Sequence, residues 1–362
     1  MMMSFRNVGC MNINILKQMH SVITLSLLLC AFSVGATSIQ KPAIMSALSS
    51  KVLLTDSERL TDGSGFVGVG LHGHIVTSKN GSTWVQAKSP VQILLTKVFF
   101  LDAQLGWATG HDAVILHTKD GGENWELQYE DPIPNGDIPK PLLDIYFKDA
   151  RHGVAVGAYG LMLKTADGGK HWEPEQTDAL YEKLDSLDLE PEPNFNSLIP
   201  FGGKLLIAGE LGTILIFDPE AVDDESRWEI ISSPYEGSFF GVKETQKDGL
   251  YIYGLRGNIY NSKDAGESWS KIETGVVSSI YDCIELSNGT LAFLGAGGTI
   301  LSLSPGGQAT TKQTYSGFDG FMSGQVLESG DLLLFGSLGV KTLSVEVKTL
   351  SVSANKLSGL AP

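Results

Sequence analysis

Residues that could carry out glycoside chemistry are few in this sequence. Hydrolysis of an acidic sugar would need three arginines converging on the substrate carboxylate, a tyrosine nucleophile and an acidic acid/base group. After the first 36 residues the chain contains four arginines, Arg59, Arg151, Arg227 and Arg256. None of them lies in the Arg-Ile-Pro context near the start of the chain that such a site would use. We therefore predict no catalytic residues, with a glycoside hydrolase and a glycan-binding module as the alternative functions.

The histidines do not form a recognisable metal site. Four of them, His72, His74, His111 and His117, cluster in the first two repeats, where the segments HGH and GHD are turn-adjacent. Neither HExxH nor a Cys/His ligand spacing occurs. The GxSxG nucleophile motif and the phosphate-binding GxxxxGK[ST] loop are also missing. The sequence predicts no metal and no cofactor.

A turn motif of the form (S/T)xDxGxxW recurs along the chain. Its aspartate can accept backbone N–H bonds across a hairpin turn, its glycine adopts a conformation that other residues resist, and its indole can pack between sheets. We interpret these residues as structural. The complete copies are Thr118, Asp120, Gly122, Trp125; Thr165, Asp167, Gly169, Trp172; and Ser262, Asp264, Gly266, Trp269. Degenerate copies have Lys79 at the aspartate position in the first repeat, and Asp223 and Trp228 with Glu225 in place of glycine in the fourth.

These turns belong to a longer repeat. Seven segments of strand, glycine, short turn and second strand are marked by Gly70, Gly110, Gly157, Gly209, Gly254, Gly295 and Gly336. The spacing is about 40 to 50 residues, which is typical of propeller blades. We predict an all-β fold, a seven-bladed β-propeller with four-stranded antiparallel blades, occupying residues 37–362 as a single domain.

The segments GWATGHDAVILHTKDGGENW and GVAVGAYGLMLKTADGGKHW resemble the Ycf48-like family of photosystem II stability and assembly factors, which are Asp-box (BNR) repeat propellers. The resemblance covers essentially the whole chain after residue 36. It implies a non-enzymatic binding and assembly platform on the lumenal or periplasmic side of a membrane. Members of that family are associated with an arginine patch, whereas only four arginines follow residue 36 in this chain, so the identity of the client is left open.

The amino terminus predicts export. Residues 1–36 read as a signal peptide, with Arg6 and Lys17 before an apolar run and a cleavage site near Ala36. Removing them leaves 24 basic and 41 acidic residues, a net charge of −17. This charge disfavours nucleic acid and anionic lipid as partners. We expect a periplasmic, lumenal or extracellular monomer that is at most peripheral to a membrane.

Two insertions interrupt the repeat, near residues 131–141 and 173–196. The second has leucines at helical spacing among acidic residues and is the candidate site for a membrane or envelope protein partner. Its candidate contact residues are Leu180, Leu184, Asp185, Leu187 and Asp188. A solvated excursion is the other interpretation. Polar residues are also predicted on the strands that line the central channel, at Lys97, Asp144, Asn196, Lys243 and Asp282.

Overall fold

The computed structural model describes residues 40–131, 140–189, 192–245, 247–306, 309–315 and 320–344. The predicted signal peptide and most of the insertion near 131–141 lie outside these residues. The described strands form seven antiparallel sheets. Six sheets have four strands, and the last has three among the described residues.

The first four sheets follow one another along the chain. Blade 1 contains β1 (Leu54–Arg59), β2 (Phe66–Gly70), β3 (Ile75–Ser78) and β4 (Val85–Gln86). Blade 2 contains β5 (Leu95–Phe100), β6 (Gly106–Gly110), β7 (Ile115–Thr118) and β8 (Glu126–Tyr129). Blade 3 contains β9 (Leu142–Phe147), β10 (Gly153–Gly157), β11 (Met162–Thr165) and β12 (Glu173–Pro174). Blade 4 contains β13 (Phe195–Phe201), β14 (Lys204–Gly209), β15 (Ile214–Phe217) and β16 (Trp228–Ile230).

Three further sheets complete the series. Blade 5 contains β17 (Phe239–Thr245), β18 (Gly249–Gly254), β19 (Ile259–Ser262) and β20 (Ser270–Ile272). Blade 6 contains β21 (Ile280–Glu285), β22 (Leu291–Gly295), β23 (Thr299–Leu303) and β24 (Ala309–Thr314). Blade 7 contains β25 (Phe321–Val326), β26 (Leu332–Gly336) and β27 (Gly339–Leu343). The helical segments are α1 (Asp178–Ser186), α2 (Asp224–Arg227) and 3-10 turns at Ser49–Lys51, Leu71–Gly73, His111–Ala113 and Leu255–Gly257.

The first strand of every blade faces the axis. Each contacts the first strands of the two neighbouring blades, and β25 contacts β1, so the ring is closed. Hydrogen bonds strengthen this last junction, where the Ser57 and Ser323 hydroxyls lie 2.8 Å apart and Gln325 Nε2 donates to Ser57 O at 2.8 Å. The prediction of a seven-bladed propeller with antiparallel four-stranded blades is confirmed.

The core lies between the blades. The buried residues form seven clusters, each shared by two neighbouring blades; the cluster that joins the last blade to the first contains Leu54, Phe66 and Phe335. The second strand of each blade is buried along almost its whole length, because neighbouring blades cover both of its faces. This explains why those strands read as apolar runs and not as alternating patterns.

The glycine that marks each repeat is required by close packing. A Cβ at Gly157 would lie 2.2 Å from Pro141 O, and one at Gly254 would lie 2.2 Å from Ser238 O. In both cases the carbonyl belongs to the residue that precedes the first strand of the same blade. The repeated glycine is therefore explained by a backbone contact that every blade makes.

Antiparallel order gives the propeller two distinct faces. The turns between second and third strands and the links to the next blade emerge on one face, which we call the insertion face because it carries both insertions. The turns between first and second strands and the Asp-box turns emerge on the other, which we call the Asp-box face.

Candidate functional site

The Asp-box turns use their polar groups internally. In blade 2, Thr118 Oγ1 donates to Asp120 Oδ1 at 2.8 Å, and Gly122 N donates to Thr118 Oγ1 at 3.1 Å. The Asn124 N–H donates to Asp120 Oδ1 at 2.9 Å, and Trp125 Nε1 donates to Gly122 O at 3.0 Å. The turns with Thr165, Asp167, Gly169 and Trp172, and with Ser262, Asp264, Gly266 and Trp269, repeat the hydroxyl and aspartate bonds.

These bonds keep the carboxylates ionised. Hydrogen bonds from the hydroxyl and backbone N–H of Ser268, and from the Ser262 hydroxyl, lower the pKa of Asp264 to about 2. A hydrogen bond from His171 holds the pKa of Asp167 well below its usual range. Carboxylates whose oxygens already accept several N–H and O–H groups have little capacity left to bind a substrate or a metal.

In the first repeat the structure assigns the aspartate position to a different residue from the one predicted. Asn80, and not Lys79, takes the place of the aspartate, because Asn80 Oδ1 accepts the N–H groups of Ser82 and Thr83, each at 3.0 Å. The turn is one residue shorter than the complete motif, which shifted the alignment by one. In the fourth repeat Asp223 caps α2 by accepting Ser226 N at 2.8 Å.

The second insertion forms the helix α1 and covers blades 3 and 4. Leu180 and Leu184 are buried in the cluster that blades 3 and 4 share. Lys183 Nζ donates to Trp228 O at 3.0 Å and to Glu225 O. Two of the predicted contact residues therefore belong to the core.

The remaining surface of this insertion is acidic and apolar. Leu187 is 58 % exposed, and Asp185 and Asp188 are also exposed. Asp178 and Glu182 add two more exposed carboxylates on the helix. The structure thus leaves Asp185, Leu187 and Asp188 accessible to a partner.

Two neighbouring turn tips add apolar side chains to the insertion face. Tyr159 in blade 3 and Leu211 in blade 4 are 58 % and 53 % exposed. Both have positive φ, 53° and 51°, a left-handed conformation that bulky residues rarely adopt. Asn194 Oδ1 fixes the Tyr159 tip by accepting its N–H at 2.7 Å, and Lys140 Nζ lies 5.7 Å from its ring centre. Sequence reasoning missed these tips, although each directly precedes a turn glycine.

Residues on the first strands converge on the central channel. Lys97 Nζ lies 3.3 Å from Asp56 Oδ1. Lys97 also interacts electrostatically with Asp144 on blade 3 and Asp282 on blade 6. Blades 2 and 6 are not neighbours, so Lys97 and Asp282 can interact only across the channel. This agrees with the channel positions predicted for Lys97, Asp144 and Asp282.

The two other predicted channel positions differ from each other. Asn196 turns toward the next blade and donates to Phe239 O at 2.7 Å. Lys243 interacts electrostatically with Glu58. Asp56 and Glu58 were not predicted there, because they interact with residues of non-adjacent blades that no local motif relates.

A groove of about 720 Å³ separates blades 3 and 4 on the Asp-box face. Several of its charged groups are paired, with Lys148 bound to Glu220 and His152 Nδ1 2.9 Å from Asp149 Oδ2. Outside the groove lining, Arg227 of blade 4 binds the buried Glu175 at 2.6 Å. Among the described residues three of the four arginines have separate partners: Arg59 pairs with Glu328, Arg151 donates to Ala166 O, and Arg227 pairs with Glu175.

Comparisons with known proteins agree with this description. The family model for the photosynthesis system II assembly factor YCF48 matches residues 135–309. No curated protein matches this sequence. The structure described as YCF48 bound to D1 peptide is 18 % identical with a TM-score of 0.60, covering 84 % of this chain and 96 % of that one.

Two further solved structures are similar. YCF48 from Cyanidioschyzon merolae is 17 % identical with a TM-score of 0.62, covering 82 % of this chain and 96 % of that one. The WD40 propeller domain of Doa1 is 16 % identical with a TM-score of 0.61, covering 85 % and 97 %. At such identities the structural likeness shows only the propeller fold. Together with the match to the family model over residues 135–309, it supports the Ycf48-like family of Asp-box (BNR) repeat propellers.

Proposed function

We propose that this chain is a non-enzymatic, exported binding and assembly platform whose client is a membrane or envelope protein. The observation that carries the proposal is the composition of the insertion face over blades 3 and 4. Tyr159 and Leu211 expose apolar side chains at the turn tips of blades 3 and 4, and Leu187 exposes another in the insertion that carries the carboxylates of α1. Exposed apolar groups rimmed by charge are typical of protein interaction sites.

The chemistry of this surface favours a client segment that is apolar and basic. The exposed acids Asp178, Glu182, Asp185 and Asp188 outnumber the cations of the insertion, and Lys183 is occupied by carbonyl groups. Complementary charge increases the rate of encounter and selects among partners. The YCF48 structure obtained with a D1 peptide supports a peptide segment of a membrane protein as the kind of client.

Strain at the turn tips supports a binding role. A bulky residue in the left-handed region costs about 1–3 kcal/mol and persists where the surroundings impose it. The turn itself imposes it, because His72, Asp112 and Arg256 are also left-handed at the equivalent positions of blades 1, 2 and 5. At Tyr159 a hydrogen bond from the backbone N–H to Asn194 Oδ1 also holds the turn. The result is a tyrosine side chain held in place on the surface, which lowers the entropy lost on binding.

Export remains part of the proposal and rests on the predicted signal peptide. Cleavage near Ala36 would release the propeller to the periplasm, lumen or exterior. None of the described helices is long and apolar enough to span a membrane. Cell fractionation with amino-terminal sequencing of the purified chain tests this step, and a cytoplasmic chain that begins at its initiator methionine would refute it.

The client can be sought with a tagged chain cross-linked in intact cells and purified for mass spectrometry. Deleting the whole insertion is unsuitable, because Leu180 and Leu184 belong to the core. The test variant is instead Asp185→Asn, Leu187→Ser and Asp188→Asn, all at exposed positions. Asp188 has φ 58°, which asparagine tolerates.

A matched control removes charge from the opposite face, with Glu123→Gln and Glu267→Gln on Asp-box turns. We expect a membrane or envelope protein that is recovered with the native chain and the control and is lost with the test variant. Recovery that is unchanged by the test variant would refute the role of the insertion face. Recovery of no specific protein would refute the platform itself.

A further inference from the structure

The central channel contains more negative than positive charge. Asp56, Asp144 and Asp282 occupy equivalent positions on the first strands of blades 1, 3 and 6, and Lys97 has the same position on blade 2. Two residues further along, Glu58 and Lys243 again occupy equivalent positions. When all six groups are ionised, which for Glu58 requires a pH above its raised pKa of about 8, the set has a net charge of −2.

The aspartates are held in place by the neighbouring blades. Asp56 Oδ2 accepts Val98 N, Asp144 Oδ2 accepts Leu198 N, and Asp282 Oδ2 accepts Gly324 N, each at 2.9 Å. Each bond joins one blade to the next. These bonds fix the carboxylates but do not neutralise them, because an amide group has no net charge.

Cations inside the channel neutralise only part of this charge. Asp56 alone has an ion pair, with Lys97. Among the described residues Glu58 accepts no hydrogen bond and has no cation within 4 Å, although it interacts at longer range with Lys97 and Lys243. Unpaired carboxylates enclosed in protein are costly, so the channel favours a further cation.

A tyrosine hydroxyl also points to a ligand. Tyr253 is 4 % exposed, and its hydroxyl makes no hydrogen bond to a described residue. Its ring fills the space over Gly241, where a Cβ would lie 2.4 Å from the Tyr253 hydroxyl oxygen. Gly241 is the blade 5 equivalent of Asp56 and Lys97. The hydroxyl therefore takes the place of a channel side chain, and it interacts with Asp282, Asp144 and Asp56.

Solvent reaches part of the channel. Lys97 is surrounded by charged groups from blades 1, 3 and 6, yet 37 % of its side chain is exposed. No group of three His, Cys, Asp or Glu among the described residues is arranged to hold a metal ion. Because the carboxylates belong to the first strands of different blades, a cation with charge at both ends can interact with more of them than a single metal ion can.

We propose that the central channel binds a linear organic cation with two ammonium groups, one near Asp144, Asp282 and the Tyr253 hydroxyl and the other near Glu58. Such a dication would balance the charge of the channel. Ammonium groups are donors only, and carboxylate and phenol oxygens can accept from them. The inference is independent of the client, because these residues lie in the channel and not on the insertion face.

Calorimetry and thermal denaturation of the purified protein with 1,4-diaminobutane as the probe test this site. Butylamine and sodium chloride at equal ionic strength are the ligand controls. We expect saturable binding of the diamine that is at least about tenfold tighter than that of butylamine, since the second ammonium group adds a charged hydrogen bond. A capped peptide with two lysines, assayed in parallel, distinguishes a free diamine from the side chains of a client.

Three variants distinguish diamine binding in the channel from a general effect of the protein's charge. Glu58→Gln removes a carboxylate without breaking a hydrogen bond, and Tyr253→Phe removes only the hydroxyl. We expect each to weaken diamine binding about tenfold or more, whereas Glu267→Gln on the Asp-box face leaves it unchanged. Equal effects of diamine, butylamine and salt, or equal binding by Glu58→Gln and the native chain, would overturn the proposal.

Discussion

At the scale of single residues, the polar groups of the Asp-box turns stabilise hairpins. Asp120, Asp167 and Asp264 each accept hydrogen bonds from the turn that follows them. The sequence could predict this arrangement because the motif is local and its geometry depends on residues within one turn. It could not align the first repeat, where a turn shortened by one residue puts Asn80 in the aspartate position.

The turn indoles differ in burial, which leads to a prediction. Trp125 is 5 % exposed, packs between blades 1 and 2, and donates to Gly122 O, whereas Trp269 is only partly buried. We expect Trp125→Ala to lower the free energy of unfolding by about 3–5 kcal/mol, and Trp269→Ala to lower it less. Chemical denaturation of both variants measures the difference, and an equal loss would contradict the packing described for Trp125.

At the scale of elements, the helix could be predicted from the sequence but its buried side could not. Leu180, Leu184 and Leu187 recur at helical spacing, which indicates an amphipathic segment. Leu180 and Leu184 dock into a surface that blades 3 and 4 create together, and Leu187 lies just after the helix, exposed. That surface involves residues distant in sequence, so local spacing could not distinguish core contacts from partner contacts.

The helix provides a second prediction. We expect Leu184→Ala to destabilise the fold by about 2–5 kcal/mol because it leaves a cavity in a shared core. Leu187→Ala should change stability by less than about 0.5 kcal/mol, since its side chain is largely exposed. Thermal denaturation distinguishes the two, and a stable Leu184→Ala variant would show that α1 is not docked.

A buried ion pair joins the outer strands of blades 3 and 4. The Glu175 side chain is 1 % exposed and binds both Lys164 and Arg227. We expect Arg227→Ala to lower the free energy of unfolding toward the low end of about 3–5 kcal/mol, because Lys164 still balances part of the charge. The control is Lys148→Ala, which breaks an exposed pair with Glu220 and should cause no measurable change. Equal denaturation midpoints for the two variants would contradict this role.

At the scale of the molecule, seven similar blades could be predicted from the sequence because each repeats one backbone contact. The channel was predicted only in part, since Asp56 and Glu58 interact with residues on non-adjacent blades that no local motif relates. The exposure of the turn tips Tyr159 and Leu211 was not predicted for a related reason. Their exposure and their grouping over blades 3 and 4 are set by the closed ring.

The channel also predicts how stability depends on pH. Burial, reinforced by Asp56, raises the pKa of Glu58 from 4.5 to about 8, and burial raises that of Asp56 to about 6. The folded chain therefore keeps protons that the unfolded chain has lost, and its free energy of unfolding falls as pH rises toward 8. Burial lowers the pKa of His117 to about 4, which opposes this trend only below its ordinary value of 6.5.

The effect of the channel carboxyls on stability is thus clearest above pH 6.5, the ordinary pKa of histidine. Between there and a pH just above 8, we expect the denaturation midpoint of the native chain to fall and that of Glu58→Gln to stay nearly constant. Denaturation in buffers without amines measures both, because amines could occupy the channel. If the denaturation midpoint of Glu58→Gln falls with pH as steeply as that of the native chain, the effect comes from other groups.

The most direct test of the platform is site-specific photo-cross-linking in cells. A photoreactive phenylalanine replaces Tyr159 or Leu187 on the insertion face, and Glu123 or Glu267 on the Asp-box face, all at exposed positions. We expect one membrane or envelope protein to form adducts with the Tyr159 and Leu187 positions and not with the other two. Adducts only from the Asp-box face, or from none of the four positions, would contradict it.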